Sequence, residues 1–66
     1  MRLVVNGCER ELDDPVTVET LLERLGLPGR YALVERNGEP VERSRYAEVS
    51  LEEGDRLVVA RPVAGG

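Results

Sequence analysis

The sequence has no histidine and no lysine, and its single cysteine is Cys8. Without histidine, the chain cannot form a Ser-His-Asp or Cys-His nucleophile pair or an imidazole metal site. Without lysine, it has neither a Schiff-base nucleophile nor the phosphate-binding lysine of a P-loop, and all nine basic side chains are arginine. One thiol cannot form an internal disulfide or a multi-thiolate zinc site. We therefore expect no metal site, and a self-contained enzyme is the least favoured class.

Aromatic residues and long apolar runs are also scarce. Tyr31 and Tyr46 are the only aromatic residues, so base stacking has no platform. The net charge of −4, with both signs interspersed, argues against a phosphate backbone or an anionic membrane as a partner. No apolar run approaches the roughly 20 residues that span a bilayer, and Asn6-Gly7 comes too early for a signal peptide. We expect a cytoplasmic protein that binds neither nucleic acid nor membrane.

The first half of the chain predicts a hairpin followed by one helix. Leu3 to Asn6 is an apolar strand, Asn6-Gly7 is a two-residue turn signal, and Glu9 to Leu12 is the returning strand. Thr17 can then cap a helix that ends at Gly26 in a Schellman motif. The apolar stripe of this helix, at i, i+3, i+4 and i+7, consists of Val18, Leu21, Leu22 and Leu25. A short helix with one apolar face must lie on a sheet.

The second half predicts three more strands in a single 66-residue domain. The predicted segments are a strand from Tyr31 to Arg36, a turn at Asn37-Gly38, a brief partner from Val41 to Arg43, irregular residues 44–50, a turn from Leu51 to Asp55 and a last strand from Arg56 to Arg61. The order ββαβββ, with the last strand inserted beside the first, is the ubiquitin-like β-grasp arrangement. We therefore predict an α+β fold with a mixed sheet and one main helix packed on one face.

The chain ends in Gly65-Gly66, which follows the strand-like run from Leu57 to Val63. Two glycines make a thin tail that can enter a narrow channel in another protein and present the Gly66 carboxylate for chemistry there. We therefore divide the chain into a domain of residues 1–62 and a flexible tail of residues 63–66. Gly65 and Gly66 are the predicted reactive end.

The alternation of side chains along the last strand predicts a surface for partners near this tail. Leu57 and Val59 are expected to face the helix, which leaves Val58 and Ala60 on the open face of the sheet. A small apolar patch suits docking, although a sheet protein of this size also exposes some apolar atoms without function. The predicted partner-binding residues are Val58, Ala60, Arg61, Val63 and Ala64.

The ordered set of segments resembles the ThiS family, the ubiquitin-like sulfur carriers of thiamine biosynthesis. The resemblance covers nearly the whole chain through the opening hairpin, the helix Thr17-Val18-Glu19-Thr20-Leu21-Leu22, Val34 to Gly38, Val41 to Ser44, Leu51 to Asp55 and the diglycine end. Glu42 stands where the family often has proline, and Ala64 where it often has a third glycine. The tail from Pro62 is closer to the small subunit of molybdopterin synthase, a related carrier.

The resemblance implies a role as a covalent co-substrate without turnover of its own. An E1-like adenylating enzyme would use ATP and magnesium to activate Gly66, a sulfur relay from a cysteine desulfurase would convert it to a thiocarboxylate, and thiazole synthase would take up the sulfur. The chain itself would bind no cofactor and would be a monomer. Carriers for molybdopterin or tRNA thiolation, a ubiquitin-like protein modifier and a non-covalent β-grasp binding module remain as alternatives.

Overall fold

The computed structural model describes residues 1–13, 15–27 and 31–61. Its elements follow the predicted order ββαβββ. They are strands β1 (Arg2–Val5) and β2 (Cys8–Glu11), helix α1 (Val18–Leu25), and strands β3 (Leu33–Arg36), β4 (Glu39–Pro40) and β5 (Arg56–Ala60), together with a 3₁₀ turn at Arg43–Arg45.

The five strands form one mixed sheet in the order β2-β1-β5-β3-β4. The last strand, β5, is parallel to β1 and antiparallel to β3, and the hairpin partners β2 and β4 lie at the two edges. Insertion of the last strand beside the first is therefore confirmed. With one helix on one face, this sheet has the predicted ubiquitin-like β-grasp arrangement.

Both hairpins close through an Asn-Gly pair whose two residues have positive φ angles. The angles are 51° and 83° at Asn6 and Gly7, and 52° and 86° at Asn37 and Gly38. Asparagine tolerates the left-handed region better than most residues, and glycine has no Cβ to clash there, which is why two-residue turns favour this pair. Both predicted turns are confirmed.

Helix α1 begins and ends where the sequence indicates. The hydroxyl oxygen of Thr17 accepts a hydrogen bond from the Thr20 N–H at 3.1 Å, which caps the first turn. At the other end Gly26 has a φ of 74°, and the Leu27 N–H donates to the Leu22 carbonyl at 2.9 Å. This is the long bond of a Schellman motif, and Leu27 packs against the core cluster to which Leu22 belongs.

The core lies between α1 and one face of the sheet. Its largest fully buried side chains are Leu3, Leu21, Leu22, Leu57, Val16 and Val18. Each such side chain stabilises the fold by about 1.5–3 kcal/mol relative to an exposed position. Residues from β1, β3 and β5 share this cluster with the buried stripe of the helix, so the helix and the sheet stabilise each other.

The segment between β4 and β5 packs over the start of α1. The carbonyls of Val49 and Tyr46 accept the N–H groups of Val18 at 3.1 Å and of Glu19 at 3.0 Å. Tyr46 is buried, and its hydroxyl donates to the Ala32 carbonyl at 2.8 Å. These contacts satisfy helix N–H groups that have no partner within the helix. The segment predicted to be irregular therefore caps the helix and completes the core.

Two predicted strand ranges are wrong. The partner of β3 is Glu39–Pro40 rather than Val41 to Arg43, because a two-residue turn places Glu39 directly opposite Arg36. Strand β3 begins at Leu33 rather than at Tyr31, since its pairing with β5 starts at Leu33 opposite Ala60 and β5 ends there. The other strand limits agree with the prediction to within one residue.

In the three described ranges of the chain, no helix has both the length and the apolar character required to cross a membrane.

Candidate functional site

Strand β5 turns one set of side chains to the core and the other to solvent. Leu57 and Val59 are 1% and 7% exposed, whereas Val58 is 52% exposed and Ala60 is also exposed. This alternation follows from the two-residue period of a strand. The predicted facing of all four residues is confirmed, and the docking role of Val58 and Ala60 stays a prediction.

Neighbouring strands extend this exposed strip into a shallow surface that we call the open-face groove. Leu33 lies opposite Ala60, and Glu35 lies opposite Val58, in the antiparallel pairing of β3 with β5. Leu33 is 52% exposed, as is Val58. The open-face groove has a volume of about 300 Å³ and is lined by Leu33, Val34, Glu35, Pro40, Val41, Val58 and Ala60.

Sequence reasoning missed Leu33, Pro40 and Val41 as members of this surface. Leu33 alternates with the buried Val34, so the strand period was a signal that could have placed it on the open face. Pro40 and Val41 could not be assigned to the open face from the sequence, because β4 was predicted to begin at Val41, two residues later than it does. The apolar surface is consequently wider than the predicted patch on β5.

The chain leaves the sheet at one end of the open-face groove. Arg61 follows β5 directly, is exposed and is the last described residue. It comes directly after Ala60, which pairs with Leu33, and its predicted role in partner binding stays a prediction. The predicted site residues Val63, Ala64, Gly65 and Gly66 lie outside the described residues, as does the proposed domain boundary after residue 62.

The part of the open face formed by β1 and β2 is charged. The guanidinium of Arg2 lies 3.6 Å from the Glu9 carboxylate and 3.9 Å from the Glu11 carboxylate. The antiparallel register, with Arg2 opposite Glu11, places these side chains on one face. Exposed ion pairs of this kind each contribute less than about 1 kcal/mol. Apart from the half-buried Val4, this part of the open face therefore differs in charge from the apolar groove on β3, β4 and β5.

Asp55 anchors the start of β5. Its carboxylate is nearly buried and accepts hydrogen bonds from the Glu52 N–H at 2.8 Å, from Arg36 Nε at 2.9 Å and from the side-chain amide of Asn37 at 3.1 Å. These bonds tie the turn before β5 to the β3–β4 hairpin. The turn itself contains Gly54 at a φ of 85°, in agreement with the predicted turn over Leu51 to Asp55.

The pKa of Asp55 reports the balance between burial and these partners. Burial alone raises the pKa of the carboxyl group, because it disfavours the charged form. The hydrogen bonds from Glu52, Asn37 and Arg36, together with the positive charge of Arg36, outweigh burial and hold the pKa below its ordinary value. The anchor is therefore a charged carboxylate at neutral pH.

The described residues form a shallow apolar groove on the open face of the sheet. Within residues 1–13, 15–27 and 31–61, no group of three or more His, Cys, Asp or Glu side chains is arranged to hold a metal ion. Cys8 is a free, exposed thiol at the start of β2. The apolar groove lies beside the point where the chain leaves the sheet, and its role in partner binding stays a prediction.

Known proteins resemble this chain in sequence over its whole length. The chain is 46% identical over 66 residues to a thiazole synthase of Paramagnetospirillum magneticum, and 35% identical over 66 residues to a thiazole synthase of Magnetococcus marinus. In both cases it matches 20% of the relative's length. The chain thus spans about a fifth of these curated relatives.

Solved structures resemble the fold. The crystal structure of the thiamine biosynthesis protein ThiS from Geobacter metallireducens matches with a TM-score of 0.83 and 32% identity, over 100% of both chains. A solution structure of a thiamine biosynthesis protein from the same organism gives the same score and identity over 88% of its length. The sequence model of the ThiS family matches residues 3–66. The chain therefore belongs to the ThiS family, the ubiquitin-like sulfur carriers that its sequence motifs resemble.

Proposed function

We propose that this chain is a sulfur carrier for thiazole formation in thiamine biosynthesis, and that the Gly66 carboxylate is the group that carries the sulfur. The observation that carries the proposal is the ThiS-family match over residues 3–66, supported by 32% identity to a solved thiamine biosynthesis protein over both full chains. The two relatives called thiazole synthase favour the thiazole pathway over molybdopterin or tRNA thiolation.

The proposed chemistry starts with activation of Gly66, because a free carboxylate is a poor electrophile. An E1-like adenylating enzyme condenses the carboxylate with ATP, with the help of Mg²⁺, and pyrophosphate leaves. The outer sulfur of a persulfide, supplied through the relay of a cysteine desulfurase, then displaces AMP and forms an acyl disulfide on Gly66. A thiol of the partner enzyme attacks the relay sulfur of this disulfide, forms a new disulfide with it and releases the Gly66 thiocarboxylate. Thiazole synthase takes up this sulfur. ATP and Mg²⁺ belong to the partner enzyme, so the chain binds no cofactor and has no turnover of its own.

The open-face groove is the surface that we assign to these partners. Val58 and Ala60 lie on the strand that leads into the tail, so a partner that contacts them also fixes the starting point of the tail. The five residues 62–66 can span at most about 18 Å. The reactive centre of a partner must therefore lie within about that distance of Arg61, with Val63 and Ala64 inside its channel.

The exchange of radioactive pyrophosphate into ATP by the adenylating enzyme of the same host tests the proposal. This exchange is expected to depend on the chain and to disappear when Gly66 is deleted. Exchange that proceeds equally well with the truncated chain, or that never occurs, would favour a non-covalent binding module. An activated chain that is transferred to a protein amine instead of yielding a thiocarboxylate would favour a ubiquitin-like modifier.

A further inference from the structure

The pairing of β1 with β5 continues beyond the point where β1 ends. The backbone N–H groups of Val4 and Asn6 donate to the carbonyls of Asp55 and Leu57 at 3.0 and 2.9 Å, in the regular spacing of a parallel ladder. The next backbone hydrogen bonds of this ladder would be made by Val59, but the first strand has no further residue opposite it because the chain turns at Asn6. The side chain of Asn6 makes these hydrogen bonds instead. Its Oδ1 accepts the Val59 N–H at 2.8 Å, and its Nδ2 donates to the Val59 carbonyl at 3.0 Å.

The carboxamide of Asn6 thus replaces a peptide group of the missing strand. Both backbone polar groups of Val59 point toward β1, whereas Leu33 and Glu35 of β3 pair with Ala60 and Val58 on the other side. Without Asn6, the last residues of β5 would be held from the β3 side alone. Strand ends with few partners open more readily than paired strands.

We propose that Asn6 is a positioning residue for delivery of the C-terminal tail. Its two hydrogen bonds hold Val59, which lies between the docking residues Val58 and Ala60, and fix the direction in which the chain leaves the sheet at Arg61. The inference rests on the proposed function, because delivery requires that Gly66 reacts in a partner. If the strand end opens, part of the binding free energy of the partner is consumed in ordering it.

Asn37 offers a matched control at the other end of the same strand. It occupies the same position in the second Asn-Gly turn, with a φ of 52° against 51° at Asn6. Its Oδ1 accepts the Arg56 N–H at 2.9 Å, and its Nδ2 donates to Asp55 at 3.1 Å. Asn6→Gly and Asn37→Gly each remove two side-chain hydrogen bonds and keep a residue that tolerates positive φ. The two variants release opposite ends of β5.

Amide hydrogen exchange and activation kinetics test the inference together. In Asn6→Gly, the Val59 amide is expected to exchange at least about tenfold faster than in Asn37→Gly, after both are corrected for global stability. For the adenylating enzyme, KM for the Asn6→Gly chain is expected to rise at least about fivefold with little change in kcat, since the tail is ordered once docked. Asn6→Asp keeps the acceptor for the Val59 N–H but turns a second acceptor toward the Val59 carbonyl, so the Val59 amide should exchange faster in this variant than in wild type.

The possible results separate this inference from the proposed function. Equal KM values for Asn6→Gly and Asn37→Gly, or an unchanged Val59 exchange rate in Asn6→Gly, would overturn the role of Asn6 and leave the carrier function intact. If the wild-type chain is never adenylated, the proposed function fails, and the delivery role of Asn6 fails with it.

Discussion

Replacement of Asp55 by alanine is expected to break the anchor between the start of β5 and the β3–β4 hairpin. The carboxylate accepts hydrogen bonds from Glu52, Arg36 and Asn37, all at 2.8 to 3.1 Å. Alanine leaves the three donors without this acceptor at a residue that is only 8% exposed. Little water can therefore reach these donors to replace the carboxylate as their hydrogen-bond acceptor.

The expected loss in the free energy of unfolding can be worked out from the three hydrogen-bond partners of Asp55. Hydrogen bonds that involve a charged group contribute about 1.5–3 kcal/mol each, but bonds to one carboxylate are not additive. The Arg36 side chain is 28% exposed and also lies 3.7 Å from Glu52, so it keeps part of its solvation and one ion pair. We expect Asp55→Ala to lower the free energy of unfolding by about 2–4 kcal/mol. A 66-residue domain has about 3–10 kcal/mol in total, so the effect is a large fraction of the stability.

Urea denaturation at pH 7, followed by circular dichroism, measures this loss. Glu48→Ala is the control, because the exposed Glu48 side chain makes no hydrogen bond or ion pair with the described residues. Its unfolding free energy is expected to stay within about 0.5 kcal/mol of wild type. A loss below about 1 kcal/mol in Asp55→Ala would refute the anchoring role of the carboxylate.

The pH dependence of stability provides a second readout of the same carboxylate. Its folded-state pKa is lowered, so its contribution is fully present above the unfolded-state pKa of about 4 and is lost as the pH falls through the folded-state pKa. Asp55→Asn does not titrate at this site. The stability difference between wild type and Asp55→Asn should therefore shrink as the pH falls below about 4, and a constant difference would contradict the account.

Three further predictions concern the helix cap, the buried tyrosine and the docking surface. Thr17→Ala should lower the unfolding free energy by about 1 kcal/mol, and Thr17→Ser should restore it in the same urea titration. Tyr46→Phe should cost about 1–2 kcal/mol, because the buried Ala32 carbonyl loses its hydroxyl partner; an unchanged titration would contradict this. Val58→Arg should leave the urea midpoint nearly unchanged but weaken binding to the adenylating enzyme at least about tenfold by calorimetry, whereas Glu48→Arg should bind normally.

The features that the sequence predicts best depend on residues close together along the chain. The two Asn-Gly turns, the Thr17 cap and the Gly26 ending each require one local backbone conformation, and the structure confirms all of them. The sequence also predicted which side chains of β5 point to the core and which to solvent, because the alternation along a strand does not depend on distant residues. These local signals were sufficient to predict the order of elements and the β-grasp arrangement.

The contacts that fix the site join residues far apart along the chain. The bond from Asn6 to Val59 spans 53 positions, and the bond from Asn37 to Asp55 spans 18. No spacing rule along the sequence identifies pairs that are this far apart. In addition, the two Asn-Gly turns already explained why an asparagine stands at each position, so nothing in the sequence indicated a second role for its side chain. The burial of Tyr46 could not be predicted for the same reason, because it depends on contacts with distant residues at the start of α1 and at Ala32. The open-face groove was underestimated because β4 was placed two residues too late.

The central claim is that Gly66 carries sulfur, and the mass of the C-terminal peptide from protein purified from its native host tests it most directly. Trypsin cleaves after Arg56 but poorly between Arg61 and Pro62, so the expected peptide runs from Leu57 to Gly66. The account predicts replacement of one carboxylate oxygen by sulfur, which fragmentation places on Gly66 and exact mass distinguishes from oxidation. A peptide that keeps an unmodified Gly66, from a chain that its host's adenylating enzyme also fails to activate, would contradict the account.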